Sequence, residues 1–340
     1  MKIAVVGLGA VGGLVAAHLA RSGAEVSGLA RGATLEAVRA HGLRLQPEGG
    51  EGAALTVPIR VAAAAAELGP HDLVIVALKG PALVDAAAAL RPLLHARTIV
   101  LPAMNGVPWW FLQTASTGAD DPLAAPLQSV DPAGRIAAAL PVKQVLGCVV
   151  HLTSSVLEAG VVRHGFGNRL IVGEPAGGPS PRTDAVCGIL RGAGFDAEPS
   201  TDIRGAIWYK LWGNMTTNPI SALTGATTDR ILDDPLVQAF MLRAMAEAAA
   251  IGARIGCPIA QSGAERVAVT RLLGGFKTSM LQDALAGRPL EIDTLVAAVH
   301  EIGGRVGVET PNIGALLGLT RLMARERGLL PARPAQAATG

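Results

Sequence analysis

Lys210, Asn214 and Asn218 recur at intervals of four in the segment Lys210-Leu-Trp-Gly-Asn214-Met-Thr-Thr-Asn218-Pro219. On an α-helix this spacing lines one ammonium and two carboxamides along a single face, a row of hydrogen-bond donors. At 1.5 Å per residue the stripe spans about 12 Å. Trp208, Leu211, Trp212 and Met215 supply an apolar flank for packing, so the stripe is expected to border a cavity; a helix with a merely wet side is the alternative. Pro219 should distort or end the helix just beyond Asn218. Two more polar groups stand where strands should end: Lys79 closes the run 72–79, and Asn105-Gly106 follows the run 98–104. Ligands of a parallel sheet sit beyond the carboxyl ends of its strands, which puts this ammonium and amide on the ligand side, although a strand-end lysine can also be simply solvated. A further segment, Lys277-Thr-Ser279-Met-Leu-Gln-Asp283, leads through Gly287-Arg-Pro to Glu291-Ile-Asp293. A helix should start there, and acidic residues at a helix start are ordinary dipole and capping partners.

The elements that must position these groups begin with Lys2 to Val6, a short β-branched apolar run, followed at once by Gly7-Leu8-Gly9-Ala10-Val11-Gly12 and a helix-like stretch from Gly13 to Arg21. Strand, glycine turn and helix in that order form a dinucleotide-binding pattern. The first glycine permits the tight turn, the second lets backbone N–H groups approach a pyrophosphate, and the third allows close helix–strand contact. The same Met1-Lys2 start before an apolar run also admits a signal peptide, but the glycine spacing gives the better account. A second strand is expected from Glu25 to Ala30. Where an NAD-selective fold would present a carboxylate to the ribose 2′-hydroxyl, the chain has Leu29-Ala30-Arg31-Gly32. A guanidinium at Arg31 suits a 2′-phosphate, which favours NADP over NAD; a solvent-facing arginine in a βα loop is the alternative.

Further buried strands are expected at Asp72–Leu78 and Thr98–Leu101, with helix-like segments such as Leu83–Leu90 between them. Together they make the N-terminal part a doubly wound Rossmann-type α/β domain with a parallel sheet. From Gln113 to Pro141 the pattern loosens into a long excursion, and such loops are often functional. Strand-like runs resume at Val145–Thr153, Val161–His164 and Arg169–Gly173, and a helix should run to about Arg191. From Asp202 onward helical periodicity dominates, through 203–215, 236–252, 263–273, 291–305 and 312–327. The expected organisation is therefore a nucleotide-binding domain over 1–201, an all-helical domain over 202–330 and a frayed tail over 331–340.

Composition bounds the rest. The chain has 340 residues, half of them hydrophobic and 16% charged, which argues against long polar disordered regions. The 29 Lys and Arg against 27 Asp and Glu leave a net charge of +2 with no basic run, so nucleic acid is not an expected partner. The longest charge-free stretches, 3–20 and 98–119, are interrupted by glycines and His18 or by Asn105 and prolines, and no membrane span is expected. Cys148, Cys187 and Cys257 show neither a disulfide framework nor metal-ligand spacing, which points to the cytoplasm and to no metal. G-x-S-x-G and H-E-x-x-H are absent, which removes the hydrolase and metalloprotease readings.

Taken together these segments resemble the ketopantoate reductase (2-dehydropantoate 2-reductase) family along nearly the whole chain. The landmarks are GLGAVG at 7–12, Arg31, Lys79, Asn105-Gly106, K-x-x-x-N-x-x-x-N-P at 210–219, SMLQD at 279–283 and GRPLEID at 287–293. The resemblance implies NADPH-dependent reduction of a small 2-oxo acid to a 2-hydroxy acid, most readily ketopantoate to pantoate, in a cleft between a Rossmann domain and a helical domain. Reduction of another oxo acid or an imine, or a non-catalytic NADP(H) sensor, are the alternatives. The family pattern makes Lys210 the proton donor and Glu291 its assistant. It assigns Asn214, Asn218 and Ser279 to the substrate, and Lys79 and Asn105 to the nicotinamide and the reacting end. A homodimer follows by analogy only. The chemistry is compatible, because an ammonium near the carbonyl stabilises the alkoxide formed on reduction and supplies its proton. Desolvation would lower the Lys210 pKa and Glu291 would raise it, and sequence leaves their sum open. The chain departs from the compact family pattern after Gly106, where Val107-Pro-Trp109-Trp110-Phe111 opens the excursion running through Asp131. That loop could reshape the substrate pocket, with Trp109 and Trp110 either contacting substrate or anchoring the loop.

Overall fold

The computed structural model describes residues 1–46, 52–114, 121–272 and 274–330. The expected frayed tail from Pro331 lies outside the described residues, as do residues 115–120 of the expected excursion and Leu273 at the end of an expected helix. The chain divides into two compact units, Met1–Ile207 and Trp208–Gly340.

The first unit is built on β1 (Ile3–Val6), whose four side chains are all buried. The apolar run after Lys2 is thus the middle strand of a sheet covered on both faces. The glycine turn leads into α1 (Ala10–Arg21), followed by β2 (Val26–Leu29), α2 (Gly32–His41), β3 (Leu43–Gln46), β4 (Leu55–Val57), β5 (Arg60–Ala62) and α3 (Ala65–Leu68). Then come β6 (Leu73–Val76), α4 (Gly80–Ala86) and β7 (Ile99–Pro102). The expected helix over Leu83–Leu90 is instead split. It is α-helical only to Ala86 and winds on as a 3₁₀ segment from Ala87 to Leu93, which holds Pro92, a residue that cannot donate an intrahelical bond. The main sheet has the order β5-β2-β1-β6-β7, and every pairing in it is parallel.

The rest of the unit holds α5 (Arg135–Ala139), β8 (Gly147–His151), β9 (Ser154–Glu158), β10 (Val161–His164), β11 (Arg169–Gly173), α6 (Pro181–Gly192) and β12 (Asp196–Ser200). They complete two smaller sheets, β4-β3-β10-β9 and β12-β11-β8. Sequence reading missed β3, β4, β5, β9 and β12. These are short or polar, as in Asp-Ala-Glu-Pro-Ser of β12, and become strands by pairing with partners distant in the chain. Leu14 and Leu19 of α1 are fully buried with Val5, Ile75, Val162 and Leu170. Each such leucine contributes roughly 1.5–3 kcal/mol relative to leaving it exposed, so α1 and its N-terminus are held firmly over β1.

The second unit is helical. It takes up α7 (Ile203–Thr224) from Trp208 and continues through α8 (Thr228–Asp233), α9 (Pro235–Arg254), α10 (Gly263–Arg271) and α11 (Ser279–Leu285). A π-helical segment over Asp293–Ala297 then runs into α12 (Ala298–Arg305), and α13 (Pro311–Glu326) follows. Of the two outcomes expected at Pro219, distortion or termination, termination does not occur; the helix runs to Thr224. Burial of Ile220 and Ala222 holds the added turn against the loss of one backbone bond at Pro219. Among the described residues α9 alone is long and apolar enough to cross a membrane. Its buried residues, from Met241 through Ala244, Met245 and Ala248 to Ile251, form one helical stripe.

Candidate functional site

The parallel register gives the main sheet a level rim. Val6 stands opposite Leu29 and Val76, and Val76 opposite Pro102, so β2, β1, β6 and β7 end in one row. Beyond that row, following strands about 4.8 Å apart, the chain carries Arg31, the glycine turn, Lys79 and Asn105 in turn. A cleft lined by Ala24, Glu25, Arg39 and Arg60 lies at the opposite end of β2 and β5 and holds none of these groups.

The three glycines of the turn behave differently. Gly7 has φ +88°, and a Cβ there would lie 2.8 Å from Leu78 Cδ2. A Cβ on Gly12 would stand 1.9 Å from the Gly7 carbonyl oxygen and 2.8 Å from Ala77 Cβ, so only glycine lets α1 approach the sheet this closely. Gly9 has nothing within 4 Å of its Cβ position and leaves an open cradle above the turn. Gly9 is also the N-cap of α1 and offers no side-chain cap. The N–H groups at the helix start, including those of Ala10 and Val11, therefore remain available to an anion. Leu8 is buried, with Gly28 leaving room for its side chain, so it can present only backbone to a ligand. The cradle fits a dinucleotide pyrophosphate.

Arg31 is exposed at the N-cap of α2, and Lys79 is half-buried at the N-cap of α4. Asn105 is half-buried and precedes Gly106, whose φ is +83°. The segment that follows turns inward. Val107, Trp109, Trp110, Phe111 and Leu112 are all at most 2% exposed. The Trp109 indole donates to the Leu140 carbonyl at 3.2 Å, and Gly147 leaves room for the Trp110 ring. Arg204 Nε donates to the Phe111 carbonyl at 3.1 Å, and its guanidinium lies 5.1 Å from the centre of that ring. Both tryptophans anchor the excursion, which settles the alternative left open by sequence. The excursion is also folded further on, where Asp131, fully buried, accepts from the N–H groups of Ile136 and Ala137 at the start of α5.

In the helical unit α7 carries the stripe. Lys210 and Asn214 are half-buried, and Asn218 is buried. The indoles of Trp208 and Trp212 donate to the carbonyls of Ala248 and Met245 on α9, fixing how α7 is rotated. Asn218 Nδ2 donates to Ser279 Oγ at 3.5 Å, joining two of the expected substrate residues. Ser279 opens α11 just after Thr278, whose hydroxyl accepts from the Leu281 N–H. The loop before it is stapled by Thr228, a fully buried residue whose hydroxyl donates to the Gly274 carbonyl at 2.6 Å and whose N–H donates to that of Phe276. A lone threonine at the start of a short helix gives no sequence signal, and Thr228 was missed for that reason. Glu291 is half-buried immediately before the π-helical segment, between Leu290, whose N–H donates to the Leu329 carbonyl, and fully buried Ile292. Asp293, two residues on, accepts from Arg321 at 2.8 Å. Among the described residues no cluster of three or more His, Cys, Asp or Glu is arranged to hold a metal ion.

Comparison with known proteins adds a family. Residues 3–177 match the family model Ketopantoate reductase PanE/ApbA, and residues 202–324 match Ketopantoate reductase PanE/ApbA C terminal. The 2-dehydropantoate 2-reductase of Mesorhizobium japonicum is 44% identical over 330 residues, 96% of this chain and 99% of that relative. A crystal structure of a candidate ketopantoate reductase from Ralstonia solanacearum MolK2 is 58% identical with a TM-score of 0.91, covering 96% of this chain and 99% of its own. A D-mandelate dehydrogenase with NADH and anilino(oxo)acetate is 21% identical with a TM-score of 0.81, covering 97% of this chain and all of its own. At that identity the likeness speaks for the fold alone.

Proposed function

The chain belongs to the ketopantoate reductase family and is an oxidoreductase that reduces 2-dehydropantoate to pantoate; from that premise we propose that NADPH is its reductant and that Lys210 and Glu291 manage the proton. The observation that carries this reading is the donor set on α7, with Lys210 and Asn214 half-buried on one face and Asn218 joined to Ser279. A receptor that only sensed a nucleotide would need the glycine turn but not this second constellation.

The residues present fit the nucleotide. Gly7, Gly9 and Gly12 with the uncapped start of α1 would hold the pyrophosphate, and Arg31 the 2′-phosphate. Lys79 and Asn105, on the same rim, would flank the nicotinamide and the reacting end. When bound, the reduced nicotinamide supplies a hydride to the carbonyl carbon. Lys210 donates its proton to the carbonyl oxygen as negative charge builds there, which stabilises the transition state more than the ground state. Glu291 hydrogen-bonds the substrate hydroxyl and supports the ammonium. Asn214, Asn218 and Ser279 hold the remaining oxygens of the acid.

The test is steady-state turnover, followed by NADPH absorbance, across a panel of branched 2-oxo acids, with NADPH and NADH side by side and with Lys210→Ala. The expected result is highest kcat/KM for 2-dehydropantoate with NADPH, and abolished turnover but nearly unchanged NADPH affinity in K210A. Retained kcat in that variant removes Lys210 from the mechanism. NADPH binding without oxidation by any oxo acid would make the protein a sensor.

A further inference from the structure

α1 rests on β10 at two points. A Cβ on Gly13 would stand 2.7 Å from Val162 Cγ1, so the helix comes close to the strand near its nucleotide end. Further along α1, His18 meets His164, which follows Val162 by two residues and so shares its face of β10. The two imidazole rings lie edge to face, with planes 83° apart and centres 5.9 Å apart, and His18 also packs on Phe195 at 5.0 Å. His18 Nδ1 donates to the Ala193 carbonyl at 3.1 Å, and His164 Nε2 donates to the Gly167 carbonyl at 2.7 Å. A carbonyl only accepts, so the nitrogen facing it carries the ring proton. Any further proton must go to His18 Nε2 or His164 Nδ1.

That proton would be poorly received. Both rings are half-buried. Among the described residues the charged or titratable groups acting on His18 are His164 from β10 and Arg21 from α1 itself. The turn from α6 into β12 gives the ring only Ala193 and Phe195, and β9 and α6, which also pack on α1, bring no carboxylate to it. Burial is the main cause holding His18 below its ordinary value of 6.5; His164 and Arg21 push the same way, against the Ala193 hydrogen bond. The carbonyl end of α1 favours a cation, but a second proton on the pair would set two imidazolium ions side by side. The unfolded chain therefore takes up protons before the native one does, and stability falls as pH drops below about 6.5. α1 is a twelve-residue helix, a rod about 18 Å long, so a shift at His18 is felt at the glycine turn that precedes it. We propose that His18 and His164 form a proton-sensitive latch between α1 and β10, closed while both rings are neutral, that couples acidification to weaker nucleotide binding. This assignment rests on the NADPH reading of the glycine turn above.

The experiment follows the unfolding midpoint and the NADPH Kd of the full-length protein from about pH 7.5 to about pH 5.5, a range spanning histidine titration. Wild type is compared with His18→Gln and His164→Gln; glutamine keeps an N–H for the carbonyl and does not titrate. The 2′-phosphate of NADPH itself titrates near about 6, and buried His71 is common to all three proteins, so the quantity read is the difference between proteins. The acid loss of NADPH affinity should be about 3- to 10-fold larger in wild type than in H18Q, the size expected of one linked proton. The unfolding midpoint of H18Q should also fall less steeply with acid. H164Q keeps the burial of His18 but removes its neighbour, so its profiles should lie between the other two, and it carries the test if H18Q does not fold. Parallel stability profiles in wild type and variants overturn the proposal. A shallower stability profile with an unchanged acid loss of NADPH affinity overturns it too, leaving the rings as packing alone. A wild type that binds no NADPH at neutral pH overturns the underlying reading as well, whereas a wild type that binds it with the acid dependence of the variants overturns this proposal alone.

Discussion

Gly12 lies so close to Gly7 that a side chain on it would stand 1.9 Å from the Gly7 carbonyl oxygen, whereas Gly9, between them in sequence, faces open space. Alanine at the two positions should therefore have separable effects. Gly12→Ala forces α1 off the sheet and should lower the midpoint of thermal unfolding as well as nucleotide affinity, with overpacking costs of about 1–3 kcal/mol or more. Gly9→Ala, at a φ of −76° that alanine adopts readily, should leave the unfolding midpoint near wild type while weakening NADPH binding. Differential scanning fluorimetry with and without NADPH measures both. Equal destabilisation by the two variants would contradict this division.

Arg31 is exposed at the N-cap of α2 and contributes nothing to a core. Arg31→Ala should therefore leave stability within about 0.5 kcal/mol of wild type. It should lower kcat/KM with NADPH by about 10- to 100-fold and leave NADH turnover within about 2-fold, because a charge-assisted phosphate contact is lost and nothing else. A wild-type preference for NADH would refute the role given to Arg31.

Asp131 is a buried carboxylate whose two oxygens take the N–H groups of Ile136 at 2.7 Å and Ala137 at 3.0 Å. Asp131→Ala leaves the buried Ile136 donor and the part-buried Ala137 donor unpaired and should cost about 1–3 kcal/mol. Urea unfolding should show the loss in midpoint, and limited proteolysis should cut the excursion before α5 faster than in wild type. An unchanged cleavage rate would mean that the tryptophan anchor alone holds this segment.

Arg182 donates through Nε to Glu174 at 2.7 Å and through its Nη atoms to Glu174 and to the carbonyls of Lys143 and Val145. The guanidinium holds the Glu174 carboxyl below its ordinary value of 4.5. A carboxylate with a depressed folded pKa contributes stability that is fully present above the unfolded value and is lost as pH falls through the folded one. Acid titration of the unfolding midpoint from neutral pH to below 4.5 should show that loss. Glu174→Gln should start from a lower midpoint at neutral pH and show a shallower fall. Parallel acid profiles in the two proteins would show that the pair adds no pH-dependent stability.

The parts legible in sequence are those whose chemistry is local. The strand, glycine turn and helix at 2–21 are contiguous, so each glycine role follows from its neighbours along the chain. The Lys210, Asn214 and Asn218 stripe depends only on helical periodicity, and that survives Pro219. The less legible features depend on partners far away in the chain. The Asp-Ala-Glu-Pro-Ser run becomes β12 only beside β11, Thr228 staples a loop nearly fifty residues on, and Trp109 finds its acceptor at Leu140.

The chain's own order of residues was enough to determine the nucleotide turn, the arginine in place of a carboxylate after the second strand, and which polar side chains share a helix face, because each depends on bond geometry over at most a few turns. Folding alone decided that the tryptophans pack inward, that Asn218 meets Ser279, and that the His18 ring on α1 meets that of His164 on β10. Those outcomes depend on which surfaces exclude water from one another, and that choice is made between segments that know nothing of each other until the chain collapses.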